Sequence, residues 1–225
     1  MKKIIIIFLL FQSYFLYGFE NTDLNYLNTL FENANNLYND GKYLDANYMY
    51  RDIVSSNLIS KSLYYNLASS YAAIGSNGYA VLYYEKALNI SPFDKEIKAM
   101  IKSLTGNNNY NSQIIVIMYI FLILFLVFFT LLIVFIIKNR KISRLLLVLS
   151  LIFFILYFIF YNNLNSDYVV TVNNVNLYKG SSTKSDIISQ ISEGEKLLVA
   201  EEYENWYYVK GNFKGWINKK YAEKI

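Results

Sequence analysis

Residues 114–137 read IIVIMYIFLILFLVFFTLLIVFII, residues 145–161 read LLLVLSLIFFILYFIFY, and the seven residues between them read KNRKISR. The first run is 24 residues long, which at the helical rise gives about 36 Å, enough to cross a hydrocarbon layer with some tilt. The second has 17 residues. It is short for a span, but Tyr157 and Tyr161 suit the interface at one end and Arg144 can snorkel at the other. A chain of this size has little core in which to hide two helices that are apolar all round. The middle of the chain therefore reads as a membrane hairpin, with spans at 114–137 and 145–161 and a polar loop at 138–144.

Charge sets the expected orientation. The formal net charge is +4, yet the polar region from Phe19 to Gln113 carries seven basic and nine acidic residues and the region from Asn162 to Ile225 carries eight of each. The excess lies in Lys2, Lys3, Lys138, Arg140, Lys141 and Arg144. Basic residues are retained on the cytoplasmic side, so the loop is expected inside and both polar regions outside. A nucleic-acid binder would gather its basic residues on a folded domain, so no nucleic-acid partner is expected. Residues 1–18, a basic start followed by an apolar stretch from Ile4, read as an export signal, either cleaved near Gly18 or kept as an anchor. With no cysteine, neither a lipobox nor a disulfide is available, and the exported parts must fold on packing alone.

From 21 to 111 the apolar residues fall at helical spacing, and a unit repeats after 34 residues. Ala34, Leu37, Gly41, Ala46, Tyr50 and Ile53 align with Ala68, Tyr71, Gly75, Ala80, Tyr84 and Ala87. Only Tyr43 with Asn77 breaks the size class, and Tyr79 can replace Asn77. The alanines suit close helix crossings, the glycines suit helix ends and the tyrosines fill the space between layers. Pro92 ends the second unit. Ser91 is expected to cap a last helix, Phe93 to Leu104, with Ile97, Met100, Ile101 and Leu104 on its apolar face. The pattern resembles tetratricopeptide repeats, whose period it shares, most closely from Tyr64 to Pro92. That resemblance implies a protein-binding inner face formed by Asn28, Phe31, Asn35 and Tyr38 of the first copy and Tyr65, Asn66 and Ser69 of the second. Tyrosines supply contact area there and amides can bond an extended backbone. No lysine or arginine stands in those positions, which disfavours an acidic terminal peptide.

Beyond Tyr161 the period changes to alternation. Tyr168, Val170 and Val172 face one way, Leu177 opens a loop through Lys179 to Ser182, and Glu193-Gly194 makes a tight turn. Five short strands are expected, closing a small barrel over residues 166–225 with Val170, Val172, Ile188, Leu197, Val199, Tyr207 or Tyr208, Val209 and Ile217 in its core. The segments Val169-Val170-Thr171-Val172, Val175-Asn176-Leu177, Gly194-Glu195, Trp206-Tyr207 and Gly215-Trp216-Ile217 resemble bacterial SH3 domains of envelope proteins. Tyr178 stands where that family usually has arginine, and Ser181 and Ser182 follow Gly180 in place of its usual proline. Both departures touch the ligand loop rather than the core. Tyr178, Trp206 and Trp216 are the candidates for an aromatic groove.

The expected fold class is thus a multidomain membrane protein: an all-α tetratricopeptide-like region, a transmembrane helical hairpin and a small all-β SH3-like barrel. Histidine and cysteine are absent from the whole sequence, which removes the common zinc sites, Cys-His and Ser-His-Asp catalysis and thiol exchange. No glycine-rich loop followed by lysine suggests a nucleotide site. Glu193, Glu195, Glu201, Glu202 and Glu204 read as solvated turn residues. No catalytic residue, metal or cofactor is therefore expected, and the chain reads as a noncatalytic adaptor. The order of parts resembles the BatE-type proteins of the Bacteroides aerotolerance family. That resemblance implies inner-membrane or periplasmic protein partners, von Willebrand factor-type Bat proteins among them, with the lipid bilayer as anchor. The competing class is a peptidoglycan-binding module that recruits a wall enzyme.

Overall fold

A computed structural model describes residues 21–106, 112–137, 143–164 and 167–225. The export-signal reading of residues 1–18 and the basic loop from Lys138 to Ile142 lie outside the described residues. Chain contacts divide the protein into two compact units, with the boundary between Ser76 and Asn77.

The first unit contains α1 (Asn21–Asn39), α2 (Tyr43–Ser55) and α3 (Lys61–Ala73). Helix α1 ends at Gly41, whose φ of 78° places it in the left-handed region. The Gly41 amide donates to the Tyr38 carbonyl and the Lys42 amide to the Leu37 carbonyl, which is a Schellman closure of the last turn. Thirty-four residues later the same pair of bonds recurs: Gly75, at φ 82°, donates to Ala72, and Ser76 donates to Tyr71. The hydrophobic positions repeat in the same register, with Ala34 and Ala68 fully buried, as are Ala46 and Ile53. Ser60 caps α3 by accepting from the Leu63 amide at 3.1 Å. Asn47 is buried on α2, and its side-chain amide donates to the Ser70 hydroxyl of α3 at 2.9 Å. Pairing these two polar groups removes the desolvation penalty that either would carry alone.

The second unit begins with α4 (Asn77–Ile90) and α5 (Lys95–Thr105). Asp94, rather than Ser91, caps α5, accepting from the amides of Glu96 and Ile97. The carboxylate is the stronger acceptor and stands one residue before the first turn. Ile97 and Ile101 are buried, whereas Met100 is exposed, so the apolar face of α5 is narrower than its spacing suggested. Gly106, at φ 71°, closes the helix.

Helices α6 (Ser112–Ile137) and α7 (Ser143–Leu164) are both long and apolar enough to cross a bilayer. Ser143 and Arg144, read as loop, belong to α7. With Asn162, Asn163 and Leu164 added at its other end, the second helix is 22 residues long instead of 17, because helical geometry continues through its polar flanks. Phe121 lies against Phe153 and Phe160, Phe125 against Phe154, and Phe128 against Phe153. Rising numbers on one helix meet falling numbers on the other, so the pair is antiparallel. The remaining faces expose Ile120, Ile123, Val127, Leu151, Ile155 and their neighbours. Thr130 and Ser150 direct their hydroxyls to the carbonyls of Val127 and Leu147, so each hydroxyl is paired within its own helix.

The chain ends in an antiparallel sheet of seven strands: β1 (Tyr168–Thr171), β2 (Val175–Tyr178), β3 (Ile187–Ile191), β4 (Lys196–Tyr203), β5 (Trp206–Lys210), β6 (Gly215–Asn218) and β7 (Ala222–Lys224), with a 3-10 turn at Lys219–Tyr221. Their order is β3-β2-β6-β5-β4-β1-β7. Two strands beyond the expected five appear. Val175–Tyr178 pairs with β3 and β6 instead of opening a loop, and Ala222–Lys224 returns beside β1. The core holds Val169, Val175, Leu177, Ile191, Leu197, Val199, Tyr207, Val209, Ile217 and Ala222. Tyr207, not Tyr208, is thus the inward tyrosine. Ile188 is exposed on the terminal strand β3, and Ile191 takes the core position there. Val170 and Val172 are buried but stand outside that core: β1 packs one face on the barrel interior through Val169 and presents Val170 to α4.

Candidate functional site

Each unit carries one candidate surface. In the first, Asn35 of α1 and Asn66 of α3 meet directly. The Asn66 side-chain amide donates to the Asn35 Oδ1 at 2.8 Å, and the Tyr50 hydroxyl of α2 donates to the same oxygen at 2.6 Å. One carbonyl with two lone pairs thereby joins three helices. Phe31 lies against the Tyr50 ring at 5.9 Å between centroids. Burial pushes the Tyr50 hydroxyl up to about 12, opposed by the Asn66 hydrogen bond and supported by Tyr38 nearby. Tyr38 packs edge-on to Tyr43 at 5.1 Å, and burial first, then Tyr43, raises its pKa as well. Asn28 is exposed, Tyr65 is half-buried, and Ser69 returns its hydroxyl to the Tyr65 carbonyl at 2.9 Å. The structure therefore brings together Phe31, Asn35 and Asn66 around Tyr50, a residue that spacing identified only as filler between layers. Its hydroxyl had no signal in the sequence, because a hydrogen bond across 15 residues of chain depends on how the helices turn.

On the barrel, Tyr178 of β2 lies directly opposite Trp216 of β6, and Trp216 lies opposite Tyr208 of β5. Alternation puts these three on one outer face. Tyr208 and Trp216 are in ring contact at 5.0 Å. Trp206 meets the edge of Tyr178 at 5.4 Å and is buried. By alternation it lies on the same outer face as Tyr208, but packed against Tyr178 it is covered, so Tyr178 and Trp216 are the more exposed members of the expected groove.

Beside Tyr178 opens a cleft of about 280 Å³ lined by Asn174, Asn176, Gln190, Asn218, Lys220 and Tyr221 among others. The β2–β3 pairing sets Asn176 opposite Gln190. Asn174 accepts from the Glu193 amide and Asn218 from the Lys220 amide, which anchors both side chains by their carbonyl ends and leaves their NH₂ groups as remaining donors. Lys220 is the only charged residue in the lining, and no carboxylate is present. That lining suits a neutral or anionic ligand rich in amide groups. Its volume falls just below the usual range for small-molecule pockets. Among the described residues no group of three acidic side chains is arranged to hold a metal.

Two of the acidic residues read as solvated are engaged. Glu202 lies in β4, accepts from Lys219 at 2.9 Å and pairs with Lys224, and these two hydrogen bonds, Lys224 first, lower its pKa. The Glu193 carboxylate accepts from the Gly78 amide at 3.2 Å.

Residues 173–223 match the bacterial SH3 domain family. The barrel is therefore a bacterial SH3 domain, a class compatible with binding protein or peptidoglycan. No curated protein matches the chain.

Proposed function

We propose that this chain is a noncatalytic adaptor of the bacterial envelope, held at the inner membrane by the α6–α7 hairpin with both polar regions in the periplasm. The observation that carries the reading is the amide-lined, carboxylate-free cleft beside Tyr178 on a bacterial SH3 domain. It is a recognition surface joined to a membrane pair whose apolar runs hold no charged side chain. Such a pair anchors well and offers no polar path for transport. The antiparallel hairpin returns the chain to the side it left, in keeping with one compartment for α4 and the barrel. In this reading the repeated Schellman turns and buried alanines belong to tetratricopeptide repeats, and their face, through Tyr38, Tyr65 and Asn66, binds a protein segment. A partner of the von Willebrand factor-type Bat class fits the order of modules.

Crosslinking in intact bacterial membranes followed by mass spectrometry tests the adaptor reading. A stable envelope-protein partner is expected, lost with the double change Tyr38→Ala and Tyr65→Ala. Retention of the partner through that change would move the contact away from the repeat face. The amide lining and the family match also favour a second reading, in which the barrel grips wall peptide. Binding of the detergent-solubilised full chain to purified sacculi, lost in Trp216→Ala, would support it, and absence of binding would remove it.

A further inference from the structure

Helix α4 is buried on nearly every side. Ala80, Tyr84, Ala87 and Leu88 are buried, and so is a second stripe of Gly78, Val81 and Glu85 at helical spacing. The second stripe meets the barrel. A Cβ on Gly78 would stand 2.5 Å from the Val172 carbonyl oxygen, and one on Gly194 would stand 3.2 Å from a Val81 methyl and 3.4 Å from a Thr105 methyl. The Glu193 carboxylate accepts from an amide in the first turn of α4, where the helix dipole favours negative charge. Deeper in the contact Glu85, fully buried, accepts from the Lys196 ammonium of β4 at 2.8 Å. Lys196 also covers the Tyr168 ring at 4.9 Å. A buried carboxylate without its cation would be strongly unfavourable, so this pair fixes one register of barrel on helix.

We propose that the SH3 domain is a permanent structural cap of the α4–α5 hairpin, so that these parts act as one rigid body instead of modules swinging on the membrane helices. The contact uses β1, β4 and the turn before it. The amide-lined cleft is built from β2, β3, β6, the 3-10 turn and Asn174, whose side chain accepts from the Glu193 amide at the margin of the contact, and it is present with the helix docked. Docking therefore leaves the cleft open, which distinguishes a constitutive clamp from an autoinhibitory one.

The absence of cysteine from the chain allows a clean test in the full-length protein in membranes. The Cβ positions of Val81 and Gly194 lie 3.7 Å apart, within the range of a disulfide. Val81→Cys with Gly194→Cys should oxidise to an intrachain link detected by peptide mass spectrometry. Val81→Cys with Gly211→Cys should not, although Gly211 shares the positive φ. Adding Glu85→Lys to the first pair should abolish the link while emission from Trp206 and Trp216, the only tryptophans and both in the barrel, stays native. A pair that spares the turn glycine, Glu85→Cys with Lys196→Cys, should be joined by a short bismaleimide. Equal linking of the two glycine pairs, a link unaffected by Glu85→Lys, or no bismaleimide product in a chain with native emission would each overturn the proposal.

Discussion

Replacing Gly75 by alanine isolates the energy of a single backbone conformation. Gly75 sits at φ 82°, and a Cβ there would meet no atom within 4 Å, so sterics with neighbours contribute nothing. The left-handed conformation costs an L-residue about 1–2 kcal/mol, and loss of glycine's freedom in the unfolded chain offsets about 0.4–1 kcal/mol. The net destabilisation is about 1 kcal/mol, which for a chain of this size lowers Tm by roughly 2–4 °C. Asparagine, which tolerates this region, should lose less than alanine. Gly41, at φ 78° and also without a neighbour within 4 Å, closes the same kind of turn, so Gly41→Ala should match Gly75→Ala. The assay is thermal unfolding of the full chain in mild detergent, followed by far-ultraviolet circular dichroism. A neutral Gly75→Ala, or asparagine as harmful as alanine, would refute the conformational argument. A large difference between the two positions would refute the equivalence of the two turns.

Ile191→Ala should cost about 2–5 kcal/mol by emptying a fully buried site, whereas Ile188→Ala, at an exposed site, should stay within about 0.5 kcal/mol. Denaturant titration of tryptophan emission separates the two. Because burial holds the Tyr50 pKa at about 12, above the ordinary tyrosine value, its contribution is complete below pH 10 and is lost as pH rises towards 12. Tyr50→Phe should lower stability at neutral pH by removing the bond to Asn35 and flatten that alkaline limb in melts taken from pH 8 to 12. A reporter active only outside the cytoplasm should work when fused at Ile225 and fail after Arg140. Activity at Arg140 would reverse the orientation inferred from the basic loop.

What could be read from the sequence was local. Apolar length alone marks α6 and α7, because a helix satisfies its own backbone and needs no partner to be recognised. The glycines at 41 and 75 mark helix ends because a left-handed residue is a property of one position. Alternation in β1 showed two faces, Val169 on one and Val170 with Val172 on the other, but alternation cannot say which face is inside when both are covered. The docking of α4 decided that, burying Val170 and Val172 outside the barrel core. Register decided Ile188: Leu177 pairs with Ser189 and Tyr178 with Ile187, so Ile188 is the unpaired residue of a bulge, while Ile191 opposite Val175 keeps the core position. The same limit applies to the polar groups. Asn35, Tyr50 and Asn66 are ordinary residues until three helices converge on one carbonyl oxygen. Glu193 reads as a solvated turn residue until tertiary contact brings it to the start of α4, and nothing local marks Glu85 as the partner of Lys196. Local patterns set which elements form, while partners far apart in the chain, supplied only by packing, set what those elements touch.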